Sequence, residues 1–70
     1  MRLTLRITVN DELREVPDDL SLQDLIGALT LPGERLAIEL NRGVVRRAEW
    51  AKTKLQDNDR VEIVEFVGGG

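Results

Sequence analysis

The sequence predicts one small α+β domain in which a single helix packs against a sheet of four to five strands. Three observations carry this prediction. The chain has only 70 residues, a length that allows one hydrophobic core. Apolar and polar residues alternate in several short runs, as in strands with one buried face. One segment between these runs carries apolar residues at helical spacing.

The first predicted element is a β-hairpin. Apolar and polar residues alternate over residues 3–9, which predicts a strand with one buried and one solvated face. Residues 10–12, Asn-Asp-Glu, have the chemistry of a turn. A second extended run covers residues 13–16, and Pro17 prevents its continuation. The residues expected to face the core from the first strand are Leu3, Leu5, Ile7 and Val9.

A helix is predicted to begin at Ser21. Asp24 stands three positions later, in the arrangement of a capping box. Apolar residues then recur at i, i+3, i+4 and i+7, which places them on one face that packs on the sheet. Pro32 and Gly33 are expected to end the helix. The residues of the apolar stripe are Leu22, Leu25, Ile26 and Leu29.

A second hairpin is predicted over residues 36–45, because Leu36, Ile38 and Leu40 alternate with other residues. Its turn, residues 41–43 (Asn-Arg-Gly), tolerates positive φ. The return run begins at Val44. Residues 48–55 are expected to form an irregular or single-turn crossover that places the only tryptophan, Trp50, at the edge of the core.

The last strand is predicted over residues 61–67, after a turn at residues 56–59, and is paired with the first strand at the centre of the sheet. Val61 and Ile63 occupy one phase of its alternation, and Val64 and Phe66 occupy the other. A strand that is apolar on both faces is either central in its sheet or presents one face to a partner. Core packing and docking both remain open for Val64 and Phe66.

The composition excludes most classes of enzyme. The chain has no cysteine and no histidine, which removes disulfides, thiolate nucleophiles, Cys/His zinc sites and the commonest general base. Its one serine, Ser21, therefore has no histidine to activate it. The acidic residues Asp57, Asp59 and Glu62 lack the glycine and the distal glutamate of an EF-hand. We interpret them as a solvated turn, and no metal site is expected.

Charge and hydropathy limit the partners. The net charge is −3 and the only aromatic residues are Trp50 and Phe66, which argues against a nucleic-acid partner. No apolar run approaches the length of a membrane span, and the alternating N-terminal residues do not form a signal-peptide core. We expect a soluble cytoplasmic protein that binds neither nucleic acid nor membrane.

Three glycines, Gly68, Gly69 and Gly70, directly follow the predicted last strand. Such a tail is expected to be mobile, and without side chains it can enter a slot that is closed to other sequences. The terminal α-carboxylate is anionic at neutral pH and must be activated before it can donate an acyl group. Neither of the common glycine-rich phosphate-binding motifs is present, so ATP would be bound by a partner. A frayed terminus would have the same composition.

Several separate pieces of the second half of the chain form a pattern that agrees in order and spacing with a known family. They are residues 37–41, 44–45, 47, 49–50, 55–57, 59, 61–64 and 66–70. In these pieces the chain resembles the ubiquitin-like β-grasp sulfur carriers, and within them the thiamine-biosynthesis carriers of the ThiS type. It departs from the family at Arg46 and Asn58, where proline and glycine are often found.

The resemblance implies a β-grasp domain with a mixed sheet over residues 1–67, and a flexible tail over residues 68–70 that carries the reactive C-terminus. It implies that an E1-like adenylating enzyme of the ThiF type uses ATP and magnesium to convert the Gly70 carboxylate into an acyl-adenylate. A sulfur donor such as a cysteine desulfurase then yields a thiocarboxylate. Thiazole synthase of the ThiG type receives the sulfur.

In this picture the chain binds no cofactor itself and is a co-substrate of its partner enzymes. Gly68 and Gly69 would thread the partners' channels, and Val64 and Phe66 would form an apolar docking patch. Three alternatives remain: a carrier of the molybdopterin-synthase small-subunit type, a ubiquitin-like modifier joined through Gly70 to lysines, and an interaction module without tail chemistry. The short glycine ending and the Trp50 segment favour the thiamine branch.

Overall fold

The computed structural model describes residues 3–29, 31 and 35–66, which form a five-stranded mixed sheet, one α-helix and one 3₁₀ helix. The strand order is β2-β1-β5-β3-β4. The predicted α+β class and the neighbouring first and last strands are therefore confirmed. In chain order the elements are β1 (Thr4–Val9), β2 (Glu12–Pro17), α1 (Leu22–Ala28), β3 (Leu36–Leu40), β4 (Gly43–Val45), the 3₁₀ helix (Arg47–Lys52) and β5 (Arg60–Glu65).

Strand β5 is the central strand. It pairs parallel with β1, where Thr8 is level with Arg60, and antiparallel with β3, where Leu36 is level with Glu65. Both hairpins, β1–β2 and β3–β4, are antiparallel. The predicted last strand was residues 61–67, whereas β5 begins one residue earlier and ends at Glu65, so Phe66 lies just beyond it. Residue 67 is outside the described residues.

One face of the sheet and the apolar stripe of α1 enclose the core. Ile7, Ile38 and Val61 are fully buried at its centre. Leu3 was expected to belong to this face, but it precedes β1 and its side chain is 76% exposed. The described core residues are Leu5, Ile7, Val9, Val16, Leu22, Leu25, Ile26, Leu36, Ile38, Trp50, Leu55 and Val61.

Helix α1 begins with the predicted capping box. Ser21 Oγ accepts a hydrogen bond from the Asp24 N–H at 3.1 Å, and Asp24 Oδ2 accepts one from the Ser21 N–H at 3.2 Å. The bond from the Ser21 N–H is the main cause that lowers the pKa of Asp24, with smaller effects from the Ser21 hydroxyl and Lys54.

The end of α1 differs from the prediction. The helix stops at Ala28, before Pro32 and Gly33, which lie outside the described residues. The Leu31 N–H bonds the Ile26 C=O at 3.3 Å, a six-residue closure that turns the chain off the helix axis. Leu29, the last member of the predicted stripe, consequently caps the helix and is half-buried.

Asparagines at positive φ make the turns. Asn10 and Asp11 have φ of 50° and 69° in the first hairpin, and Asn41 and Arg42 have φ of 52° and 74° in the second. Positive φ at both central residues produces a turn whose twist matches the strands that it joins. In the second turn Gly43 is already the first residue of β4.

Trp50 lies at the edge of the core, as predicted, with only 2% of its surface exposed. Its Nε1–H donates to the Val45 C=O at 2.9 Å, and the Arg47 guanidinium lies 5.0 Å from its ring centroid. The crossover forms a 3₁₀ helix that packs against α1. No helix in the described ranges has both the length and the apolar character needed to cross a bilayer.

Candidate functional site

The candidate site lies where β5 leaves the sheet. Val64 and Phe66 each expose 56% of their surface, and we name this pair the exit patch. The alternation of β5 directs Val61 and Ile63 towards the core, while Val64 projects from the opposite sheet face. Core packing, one of the two alternatives for this pair, is therefore wrong. Whether the patch docks a partner stays a prediction.

The main chain of the exit is held by β3 on one side. Val64 is level with Ala37, and the Phe66 N–H donates to the Arg35 C=O at 2.7 Å. The ladder therefore continues one step beyond the last residue of β5. It holds the backbone of Phe66 while more than half of its side chain faces solvent.

On the other side, β1 ends before β5 does. The side-chain amide of Asn10, the first residue after β1, continues the pairing: its Oδ1 accepts from the Ile63 N–H at 2.8 Å and its Nδ2 donates to the Ile63 C=O at 3.2 Å. We name these two bonds the Asn10 clamp. The sequence showed Asn10 only as a turn residue, because its partner is 53 positions away.

A similar clamp holds the start of β5. Asn41, the first residue after β3, accepts from the Arg60 N–H at 2.9 Å through Oδ1 and donates to Asp59 Oδ1 at 2.9 Å through Nδ2. Both asparagines have positive φ, and each uses its amide where the strand before it has ended. Together they hold the central strand at Arg60, its first residue, and at Ile63, two residues before its end.

The acidic residues near the start of β5 have structural partners. Asp57 accepts from the Arg6 N–H at 2.9 Å, and Asp59 Oδ2 accepts from the Gln56 N–H at 2.8 Å. Glu62 pairs with Arg60 at 3.4 Å. Over the described ranges no group of acidic side chains has an arrangement that could hold a metal ion. Asp57 and Asp59 instead hold the turn before β5 through main-chain N–H groups.

The two departures from the family pattern lie on backbone that suits the family's usual residues. Arg46 has φ of −67°, the value that a proline ring imposes. Asn58 has φ of 71°, a left-handed conformation that glycine adopts freely and asparagine tolerates. Neither departure therefore changes the path of the chain.

The remaining predicted site residues, Gly68, Gly69 and Gly70, lie outside the described residues. The structure thus places the exit patch at the end of β5, a strand whose main chain is bonded on both edges. The predicted roles of the three glycines remain predictions.

Comparison with known proteins gives a consistent result. The sequence pattern of the ThiS family matches residues 5–70. A crystal structure of the thiamine biosynthesis protein ThiS from Geobacter metallireducens is 33% identical and superposes with a TM-score of 0.83, covering 94% of this chain and all of the other. The sulfur carrier protein ThiS of Bacillus subtilis is 34% identical over 50 residues, 71% of this chain and 76% of its own length.

A longer relative is also similar. Thiazole synthase of Paramagnetospirillum magneticum is 30% identical over 66 residues, which is 94% of this chain but 20% of that protein. The chain therefore spans about a fifth of the length of this relative.

Proposed function

This chain belongs to the ThiS family, and we propose that it carries sulfur for thiamine biosynthesis as a thiocarboxylate on Gly70. The β-grasp fold and the sulfur-carrier family that the sequence resembles are confirmed by the structural match to ThiS. The chemistry at Gly70 and the partners are our proposal. The observation that carries it is a family match that runs through the glycine ending and lies on a described domain of the same fold.

Two steps load the sulfur. The Gly70 carboxylate attacks the α-phosphorus of ATP on a ThiF-type enzyme, with magnesium, and releases pyrophosphate as the acyl-adenylate forms. A sulfur nucleophile at the oxidation level of sulfide then attacks the acyl carbon and displaces AMP. Where the donor is a cysteine desulfurase, its sulfur arrives as a persulfide, and a thiol reductant supplies the two electrons that release the thiocarboxylate. The carboxylate oxygen that bridged to the phosphorus leaves with AMP, so the product holds one sulfur in place of one oxygen.

The composition supports a carrier that keeps its sulfur on the main chain. The chain has no cysteine, so no side-chain thiol can hold the sulfur as a persulfide. It also has no histidine, the usual general base. The catalytic groups therefore belong to the partners, and the chain is their co-substrate.

The exit patch supports docking next to the tail. Val64 and Phe66 expose apolar surface at the end of the central strand, and clustered apolar surface marks interaction sites. We propose that the adenylating enzyme and a ThiG-type thiazole synthase both contact this patch while the glycines reach their active sites. The similarity to a thiazole synthase supports that second partner. A cytoplasmic location remains part of the same proposal.

The experiment is mass spectrometry of the whole chain after incubation with a ThiF-type enzyme, ATP, magnesium and sulfide. We expect the mass to increase by the difference between sulfur and oxygen, with the change located on Gly70. A variant lacking residues 69–70 should gain no sulfur, yet it should keep nearly the same thermal midpoint, because a terminal tail makes few contacts.

Three results would contradict the proposal. The first is an unchanged mass with an adenylating enzyme that loads another ThiS protein in parallel. The second is the appearance of adducts that carry a Gly-Gly remnant on lysine, which indicates a protein modifier. The third is sulfur delivery to a molybdopterin precursor but not to thiazole synthase, which places the chain in the pterin branch.

A further inference from the structure

The two edges of β5 are supported differently as the strand approaches its exit. On the β1 side the main chain bonds at every second residue, starting just before β5: the Asp59 C=O accepts from the Thr8 N–H at 3.0 Å, and the Val61 C=O accepts from the Asn10 N–H at 2.9 Å. The next residue whose main-chain N–H and C=O point to the β1 side is Ile63. Because β1 ends at Val9, no strand residue is available to pair with it.

We infer that Asn10 is a positioning residue that fixes the direction in which β5 delivers the chain to its partners, an inference that rests on the proposed function. Its side-chain amide provides the acceptor and the donor that two further residues of β1 would have provided, because in a parallel pair one residue bonds two residues of the neighbouring strand. The clamp is thus one more rung of the ladder, built from a side chain. Among the described residues no strand pairs with this edge beyond Ile63, whereas β3 continues to Phe66.

The location of the clamp separates it from ordinary stabilisation. It lies directly before the exit patch, on the edge opposite the Phe66-to-Arg35 bond. Two-sided support up to Ile63 limits the directions that Val64 and Glu65 can take. An acyl group must be held in a narrow range of positions for reaction, so looser support at Ile63 lowers the fraction of docked carriers whose tail is correctly aimed.

The test uses Asn10→Gly in the full chain. Glycine adopts a φ of 50° without strain, so the change removes the clamp and keeps the turn. We expect the Ile63 amide to exchange its hydrogen faster by about two- to tenfold, the range that corresponds to one net hydrogen bond. The single-turnover rate of adenylation at saturating enzyme should fall by a similar factor.

The matched control is Asn41→Gly. Asn41 has a φ of 52° and makes two side-chain bonds at the other end of β5. We expect it to lower the thermal midpoint about as much as Asn10→Gly, but to leave the exchange at Ile63 and the adenylation rate unchanged. Asn10→Asp keeps the acceptor for the Ile63 N–H but places a carboxylate oxygen against the Ile63 C=O, which it repels, so exchange at Ile63 should be faster and adenylation slower than in the wild type.

Unchanged adenylation in Asn10→Gly despite faster exchange at Ile63 would overturn the inference, as would equal slowing by Asn41→Gly. If Asn10→Gly does not fold, Asn10→Asp decides, since adenylation at the wild-type rate with faster Ile63 exchange gives the same refutation. Failure of the proposed function is distinguishable, because the wild type itself would then gain no sulfur. In that case the exchange measurements still report whether the clamp holds the exit.

Discussion

Replacing Phe66 with alanine should weaken binding to the adenylating enzyme by between about 30- and 150-fold. A phenylalanine side chain offers roughly 200 Å², and 56% of Phe66 is exposed, which leaves about 110 Å² for a partner to cover. At about 25 cal/mol per Å² this area corresponds to about 3 kcal/mol. Since alanine keeps part of the contact, we expect a loss of about 2 to 3 kcal/mol.

The control for this variant is Leu13→Ala. Leu13 lies on β2 and is 69% exposed. Its partner on β1 is Thr8, and Thr8 in turn pairs with Arg60, so Leu13 is level with the start of β5 and not with its end. It therefore offers a similar apolar surface at a distance from the exit patch. Isothermal titration of each variant with the adenylating enzyme measures the dissociation constants, and we expect Leu13→Ala to stay within about twofold of the wild type.

Stability must be followed in the same experiment, because part of Phe66 is already buried in the free domain. Its truncation can cost up to about 2 kcal/mol of unfolding free energy, so binding is measured well below the thermal midpoint of the variant. Val64→Ser is a second probe with a smaller side chain and equal exposure. The docking argument is refuted if Phe66→Ala and Val64→Ser both bind like the wild type, or if Leu13→Ala weakens binding as much as they do.

Three further predictions concern the domain itself. Folding lowers the pKa of Asp24, so its carboxylate stabilises the domain at pH values above its ordinary pKa of 3.8 and loses this effect as the pH falls through the lowered value. Asp24→Asn should remove this loss of stability from urea midpoints measured across acid pH. An unchanged dependence on acid pH would contradict the capping role. Arg46→Pro should stabilise the domain by about 0.4 to 1 kcal/mol in urea unfolding, because φ already suits proline and the unfolded chain loses freedom; a destabilised variant would mean that the Arg46 N–H has a partner. Asn58→Ala should cost about 1 to 2 kcal/mol and Asn58→Gly much less, since only alanine is strained at positive φ; equal thermal midpoints would argue against that strain.

The expectation for Arg46 follows from the register of β3 and β4. Val45 is level with Ile38. The main-chain N–H and C=O groups of odd-numbered residues on β3 point to β5, as the bond between the Phe66 N–H and the Arg35 C=O shows. Those of the even-numbered residues therefore point to β4. Alternation then directs the Arg46 N–H away from β3. A residue whose N–H bonds no strand can be proline without loss of a ladder bond.

Local patterns were sufficient to predict most of the fold. Alternation located the strands, and the spacing of Ser21 and Asp24 located the start of α1, because these features depend on neighbours within one or two turns of chain. The predicted end of α1 was wrong, because the bond from the Leu31 N–H to the Ile26 C=O closes the helix before the chain reaches Pro32. The prediction that Leu3 faces the core was wrong, because alternation does not show where pairing with a neighbouring strand begins.

The candidate site divides in the same way. The apolar character of Val64 and Phe66 was visible in the sequence, but their exposure depends on which face of the sheet α1 covers. The Asn10 clamp joins residues 53 positions apart, and no local pattern reports such a contact. A useful signal would have been that an asparagine directly follows both strands that flank β5, a relation that becomes visible only with the strand order.

The position of β5 explains how a tail without side chains can be aimed. Glycines have no side chain to bury or to pair, so a glycine ending can be directed only by the segment before it. A strand at the edge of the sheet would bond its main chain on one side, and its end would be free to bend away on the other. β5 is central and has β3 on one side as far as Phe66, with β1 and the Asn10 clamp on the other as far as Ile63. Under the proposed function, main-chain pairing therefore supplies the orientation that an enzyme active site obtains from packed side chains.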